Sequence, residues 1–393
     1  MIPIAPAAKG SVKTQKKSAS TFQYWKNYYR THRETSNDLK EKVTLLNFNQ
    51  KSQDVEAVLR GFLAYHSKDA EPWMYEALAL AIKMNKGPEK DFKTSLGYAA
   101  DMAQRSHNPN HLVSVADMML LNGEYDRVGT LLDEAAEKIP HRSEPLIMMI
   151  NLAQKTKDPE RMAMAIEKLF SLGWPGFDEK VRREARQQAE TLAKSLREEG
   201  RTPESETLLT RVTEAEFRDV FVRLTWTGDA SLGLMVEEPL GATARDVAPR
   251  TVFGGAIIKG GYGLHPESVY VCPRGFDGDY TIRIETIYNN PDKPALEATL
   301  EMITHEGTAD EKKETKTIRV SKTPDPVVVH LKGGHRKNVM PFLAPPTLPP
   351  ADQTKGTSKD SDKPSGATRP APETSKAIEV EPARPAEVKE RPR

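Results

Sequence analysis

Leu112-Val113-Ser114-Val115-Ala116-Asp117-Met118-Met119-Leu120-Leu121, then Asn122-Gly123-Glu124-Tyr125-Asp126-Arg127-Val128, then Leu131-Leu132-Asp133-Glu134-Ala135-Ala136-Glu137-Lys138-Ile139-Pro140: the reading of this stretch decides the fold. Each apolar run repeats at three and four residues, the spacing of one helix face. The Gly-Glu-Tyr-Asp step between them reads as a turn, and Pro140 stops the second run. Two helices joined by a short turn follow.

Working outward, similar patterns fill the chain from about Asp38 to Ala215. Val55, Val58, Leu59, Phe62 and Leu63 form one face. Trp73, Ala77, Leu78, Ala81 and Ile82 form the next, stopped at Gly87-Pro88. A third runs from Phe92 to Ala103. Beyond the central pair, Leu146 to Ala153 and Met162 to Leu169 flank Lys157-Asp158-Pro159-Glu160. The turns at Gly123 and Asp158 are about 35 residues apart, so a repeated helical pair is expected. Glu179 to Glu199 carries a thin apolar stripe on a charged helix, the form of a solenoid cap. Pro203 to Glu216 reads as a last helix.

The central pair resembles a tetratricopeptide (TPR) repeat. The matching residues are Gly123 and Tyr125 at the turn, Leu132 and Ala135 on the second helix, and Pro140 after it. The first helix lacks the usual aromatic near its start, and Val128 stands where Ala is usual. The resemblance implies an α–α superhelix of three to four degenerate repeats whose groove binds a protein segment.

At Asp219 the period changes from 3.6 to 2. Val220, Val222, Leu224 and Trp226 alternate with Phe221, Arg223 and Thr225, and Leu232, Leu234 and Val236 follow. Further strands are expected at Thr251-Val252-Phe253, Ser268 to Val271, Tyr280 to Thr286, Leu296 to Met302 and Thr315 to Val320. Val327 to Leu331 is expected as an edge strand or a cover. Many short strands imply an antiparallel β-sandwich with Trp226 and Tyr280 in its core. Leu224-Thr225-Trp226, Leu234 to Gly241, Gly261-Tyr262-Gly263, Pro266-Glu267 and Gly278 to Ile282 resemble a bacterial β-sandwich of the YfaP type. A looser likeness is to pre-peptidase C-terminal domains. Those domains carry an Asp pair before the Leu-x-Val strand, and here Ser231 and Gly233 hold its places.

The expected architecture is therefore multidomain, α then β. A basic arm covers 1–20, a TPR-like helical domain 21–216, a β-sandwich 217–331 and a Pro-rich tail 332–393. The tail, with no aromatic after Phe342, cannot bury a core and is expected to be disordered. No linker separates the two folded parts, so the sandwich should pack on the last helices, with Phe217 and Phe221 as candidates for the junction.

The chemistry-bearing residues form no recognisable set. With 57 basic and 56 acidic residues, net charge selects no partner. The single Cys272 excludes an intramolecular disulfide and reads as a buried apolar residue. The Gly254–Gly263 stretch lacks a phosphate-loop ending and reads as hairpin turns. His265, Glu267, His305 and Glu306 lack paired ligand spacing. Lys332, His335, Arg336 and Lys337 read as a solvated basic cluster. No cofactor, metal or catalytic residue is expected. Without an apolar run of membrane length or a signal-peptide pattern, the expectation is a soluble cytoplasmic protein. Two functions remain: a non-catalytic scaffold for a protein or peptide, and a nucleic-acid or surface binder. The second would act through Lys9, Lys13, Lys16, Lys17, Lys26, Arg30 and Arg33, interleaved with Phe22, Trp25 and Tyr29.

Overall fold

A computed structural model of the chain describes residues 10–261, 266–289, 297–319 and 325–339, with residues 10–20 and Asn289 described as backbone only. Residues 1–9 of the expected arm, His265, and the expected tail from residue 340 on lie outside the described residues. Among the described residues, eleven α-helices are followed by nine strands in two antiparallel sheets. The helices and both sheets fall in a single compact unit.

The helices are α1 (Gly10–Thr31), α2 (Ser36–Phe48), α3 (Ser52–His66), α4 (Pro72–Met84), α5 (Glu89–Arg105) and α6 (Pro109–Leu121). They continue as α7 (Val128–Lys138), α8 (Glu144–Thr156), α9 (Pro159–Phe170), α10 (Asp178–Glu198) and α11 (Thr202–Ala215). α1 starts inside the stretch expected as a flexible arm, where no Pro interrupts the chain before Pro72. Local chemistry sets the starts. Pro sits in the first turn of α4, α6, α8, α9 and α11, where a missing N–H costs nothing. Thr35 and Asp38 close a capping box on α2, and the Asp158 carboxylate accepts from Arg161 N at 2.9 Å.

The ends of alternate helices share one motif. A residue with positive φ follows α2, α4, α6, α8 and α10: Gln50, Lys86, Gly123, Lys157 and Gly200. The next N–H reaches back five residues each time: Lys51 to Leu46, Gly87 to Ile82, Glu124 to Met119, Asp158 to Ala153 and Arg201 to Leu196, at 2.8–3.0 Å. This is the Schellman cap, recurring roughly every 35 residues between Gln50 and Lys157. A left-handed residue with a Cβ costs about 1–2 kcal/mol. Gln50→Gly and Lys86→Gly are therefore expected to stabilise by about 0.5–1 kcal/mol each. Gly123→Ala should cost about 1–2 kcal/mol, for conformation alone, because nothing lies within 4 Å of its added Cβ. Thermal melts check both signs; glycine variants that melt lower would contradict the cap reading.

Alternate helices lie side by side in two rows. Ser114 Oγ donates to Glu76 Oε2 at 2.9 Å and Lys83 Nζ to Asn122 Oδ1 at 2.6 Å, so α4 and α6 run parallel. Arg142 links α8 to Asn110 of α6, and Arg201 reaches the Lys157 carbonyl between α8 and α10. In the second row Arg60–Asp91 joins α3 to α5, Arg161–Asp133 joins α9 to α7, and Arg211–Glu167 joins α11 to α9. One continuous apolar core runs from Tyr29 to Ala215.

The strands are β1 (Arg218–Trp226), β2 (Ala230–Glu237), β3 (Thr243–Ala244), β4 (Ala256–Lys259) and β5 (Glu267–Cys272). β6 (Gly278–Asn289), β7 (Glu297–Glu306), β8 (Lys312–Arg319) and β9 (Val327–Leu331) complete them. One sheet has the order β4-β5-β1-β7-β8 and the other β3-β2-β6-β9. β9 pairs with β6 as an edge strand. A single apolar cluster draws on both sheets, with Val220, Val222, Leu224, Trp226 and Tyr280 among its members. The strand expected at Thr251-Val252-Phe253 is instead a turn, and the strand lies at β4, inside the glycine-rich stretch. Thr251 N donates to Gly255 O at 2.9 Å and Gly254 N to Thr251 O at 3.4 Å, which curls the chain before it can extend.

Candidate functional site

The repeat signature residues are structural. Leu132 and Ala135 are fully buried in α7, and Tyr125 packs against the helical core. Gly123 makes the cap, and half-buried Pro140 follows α7. The exposed chemistry lies elsewhere on the same helices. Phe48, Met84 and Leu121 are the last residues of α2, α4 and α6, and they are 85%, 63% and 76% exposed. Leu45, one turn before Phe48, is 63% exposed. The bonds that join neighbouring helix ends, Lys83 to Asn122 and Ser52 Oγ to Asn85 Oδ1, set these side chains along one edge of the stack. On α2 itself Lys40, Thr44, Leu45 and Phe48 are all exposed and form one open helix face.

The N-terminal aromatics are used internally. Tyr29 is fully buried and its hydroxyl donates to Glu34 at 3.0 Å. Trp25 stacks on Tyr29, and the Lys42 ammonium sits 4.9 Å from the Trp25 ring centre. Tyr24 remains 61% exposed.

Where helices meet sheets, Arg side chains hold the joint. Arg274 donates to the Glu214, Ala215 and Phe217 carbonyls at the end of α11. Arg336 reaches Ser171 O at 2.9 Å, after α9, and Arg250 reaches His141 O. Helix C-termini present unpaired carbonyls and partial negative charge, so cationic donors suit them. Burial pulls Arg182, Arg250 and Arg274 below the usual guanidinium range. Asp178, 2% exposed, bonds Arg182 at 2.9 Å and lies 3.7 Å from Arg218. Arg250 stacks 4.5 Å from the ring centre of buried Trp174.

Both junction candidates sit here, on different surfaces. Phe221 is buried with Val269, Val271 and Ile303 in a cluster separate from the main sheet core. Val271 of that cluster lies against Gly173, whose added Cβ would come within 3.0 Å of it and 2.7 Å of Ala256 Cβ. Phe217 is half-buried against Gly307 of the β7–β8 turn. Gly173 N and Gly176 N donate to Gly254 O and Ile258 O, so the α9–α10 connection runs along the outer edge of β4. A cleft of about 720 Å³ beside it is lined by Phe177, Lys180, Arg183, Asp246 and Lys259, among others.

Ser231 Oγ donates to Gly261 O at 2.7 Å. A Cβ on Gly233 would lie 2.8 Å from Asp246 Oδ2, so a carboxylate from another segment takes that space. Burial, then the Glu285 charge, pushes Asp246 up. Glu238 is 2% exposed and accepts from Thr251 Oγ1 at 2.6 Å and Tyr270 OH at 3.0 Å; burial pushes it up to about 7. Cys272 is buried and its thiol is also pushed up, chiefly by burial, which makes a reactive thiolate unfavourable.

One constellation was invisible in the sequence. Asp219 at the start of β1, His305 at the end of β7 and His335 after β9 bring three potential metal-ligand atoms within 4.8 Å of one another. By spacing alone His305 belongs to no ligand set and His335 to a solvated cluster; residue spacing cannot show a meeting that only tertiary structure creates. Among the described residues, no helix is long and apolar enough to cross a membrane. The chain matches no known family model and no curated protein.

Proposed function

We propose that this chain is a non-catalytic scaffold that binds a protein segment along its helical stack. We read the helices as a TPR-like superhelix and the two sheets as a β-sandwich resembling the YfaP type. The recurring Schellman caps support the first reading, and the single cluster shared by both sheets supports the second. One observation carries the function: the row of exposed apolar side chains Leu45, Phe48, Met84 and Leu121 along one edge of the stack. Large apolar side chains left in water at successive helix ends support an interaction site, and a stack of helix pairs offers them as a preformed track. The sheets supply a second contact at the cleft between α10 and β4.

The test uses the full chain as bait beside a Phe48→Asp/Met84→Asp/Leu121→Asp variant. All three side chains are exposed, so the variant should keep the native circular dichroism spectrum. A bound protein that survives high salt and is lost with the variant is the expected result. Binding that persists in the folded variant overturns the reading. Binding that instead collapses with salt assigns the contact to the basic N-terminal stretch.

A further inference from the structure

We propose that Asp219, His305 and His335 form a binding site for a divalent transition-metal ion, with Zn²⁺ as the expected occupant. Asp219 Oδ1 lies 2.6 Å from His335 Nδ1 and 4.0 Å from His305 Nδ1. Zn²⁺ bonds of about 2.0–2.2 Å require ligand atoms roughly 3–4 Å apart. Small shifts bring the three atoms to that spacing, and the His335 side chain, 59% exposed on a loop, is free to make them.

The second shell favours a cation. His305 Nε2 is 2.9 Å from the Lys332 carbonyl oxygen, a contact that only an N–H can make. In the neutral ring this leaves the Nδ1 lone pair facing the carboxylate, with no proton between them. That lone pair is open to a metal ion, and a backbone carbonyl behind a ligating imidazole is the usual orienting partner. Asp219 is held as firmly: its Oδ2 accepts from Gly275 N at 2.6 Å and His335 N at 2.9 Å.

Two imidazoles and one carboxylate suit Zn²⁺, Co²⁺ or Ni²⁺ better than Ca²⁺ or Mg²⁺, which prefer all-oxygen shells. Three protein ligands leave a position for water or an outside donor. Arg274 and Arg336 are nearby cations, engaged by the Phe217 and Arg274 carbonyls respectively. Their field weakens cation binding, so affinity should be micromolar rather than that of a closed four-ligand site.

Isothermal titration of the metal-stripped full chain with ZnCl₂ at neutral pH tests this, beside His335→Ala and His305→Asn. Asn tolerates the positive φ of 54° at position 305, and His335→Ala removes an exposed side chain, so at least one variant should fold. One equivalent is expected to bind, with each substitution weakening it at least about tenfold. Co²⁺ should give a visible spectrum that both substitutions abolish, and chelation should lower the melting temperature of the loaded chain. Absence of saturable binding, or unchanged affinity in the folded variants, overturns the site. In that event the Asp219–His335 contact is a plain hydrogen bond that holds the loop after β9.

Discussion

Asp178→Ala is expected to destabilise the folded chain by about 3–5 kcal/mol, because it leaves the buried Arg182 guanidinium without its counter-charge. Asp178 bonds Arg182 at 2.9 Å, and both side chains are almost fully buried, at 1% and 8% exposure. Arg218 lies 3.7 Å away on the sheet side of the joint, so one carboxylate serves cations from both halves. Asp178 Oδ1 also accepts from Trp174 N at 3.1 Å, which fixes the connection between α9 and α10. Surface pairs such as Arg33–Asp69 would show little on the same test. Urea denaturation at neutral pH measures the loss. The double variant Asp178→Ala/Arg182→Met should recover part of it by removing the stranded charge. It will not recover all, since Arg182 also donates to the Phe170 carbonyl at 3.2 Å. A single-variant cost below about 1 kcal/mol would refute the buried-charge account.

The second large effect is a pH dependence from Glu238. Burial pushes its carboxyl from 4.5 to about 7, outweighing the opposing hydrogen bonds from Thr251 and Tyr270 and the Arg336 charge. The folded state therefore holds this proton more tightly than the unfolded state. Its contribution is fully present below about pH 4.5 and is lost as pH rises through about 7. The size of the shift corresponds to about 3 kcal/mol. Glu238→Gln imitates the protonated acid and cannot ionise. The stability difference, variant minus wild type, should rise across that window and level off above it. Groups that titrate in both chains cancel in the difference. A difference that stays flat with pH would remove Glu238 as the cause.

Much of the architecture was legible because burial wrote it into residue spacing. Trp73 to Ile82 and Phe92 to Ala103 show one-face periodicity and became α4 and α5. The change of period at Asp219 marks β1, whose Val220, Val222, Leu224 and Trp226 all enter the sheet core. The recurring helix cap was only half legible. Its common feature is a backbone conformation, and at Gln50, Lys86 and Lys157 the residue that adopts it is not glycine. β4 was missed because an edge strand among glycines owes its extension to partners distant in sequence. Phe221 was legible as an aromatic at the junction, while its separation from the main core emerges only when the opposite sheet face is covered. Nothing in the sequence singles Asp178 out from the other acids. Its charge partner Arg218 comes from the sheet half, forty residues on, which local patterns cannot bring near.

The strip Gly173–Gly176 along β4 has a consequence for how the chain is made. Synthesis delivers the helices first, and domains emerging from the ribosome fold in that order. The strip that caps the sheet edge therefore exists before β4 does. A nascent sheet meets its own cover before it can meet a strand from a neighbouring polysome. A gene truncated to begin at residue 217 would reverse this, leaving the Gly254 and Ile258 carbonyls open to another copy. Such a fragment should collect in inclusion bodies, and supplying the helical half on a separate gene should rescue it poorly, because a cover that arrives by diffusion competes with every other exposed edge.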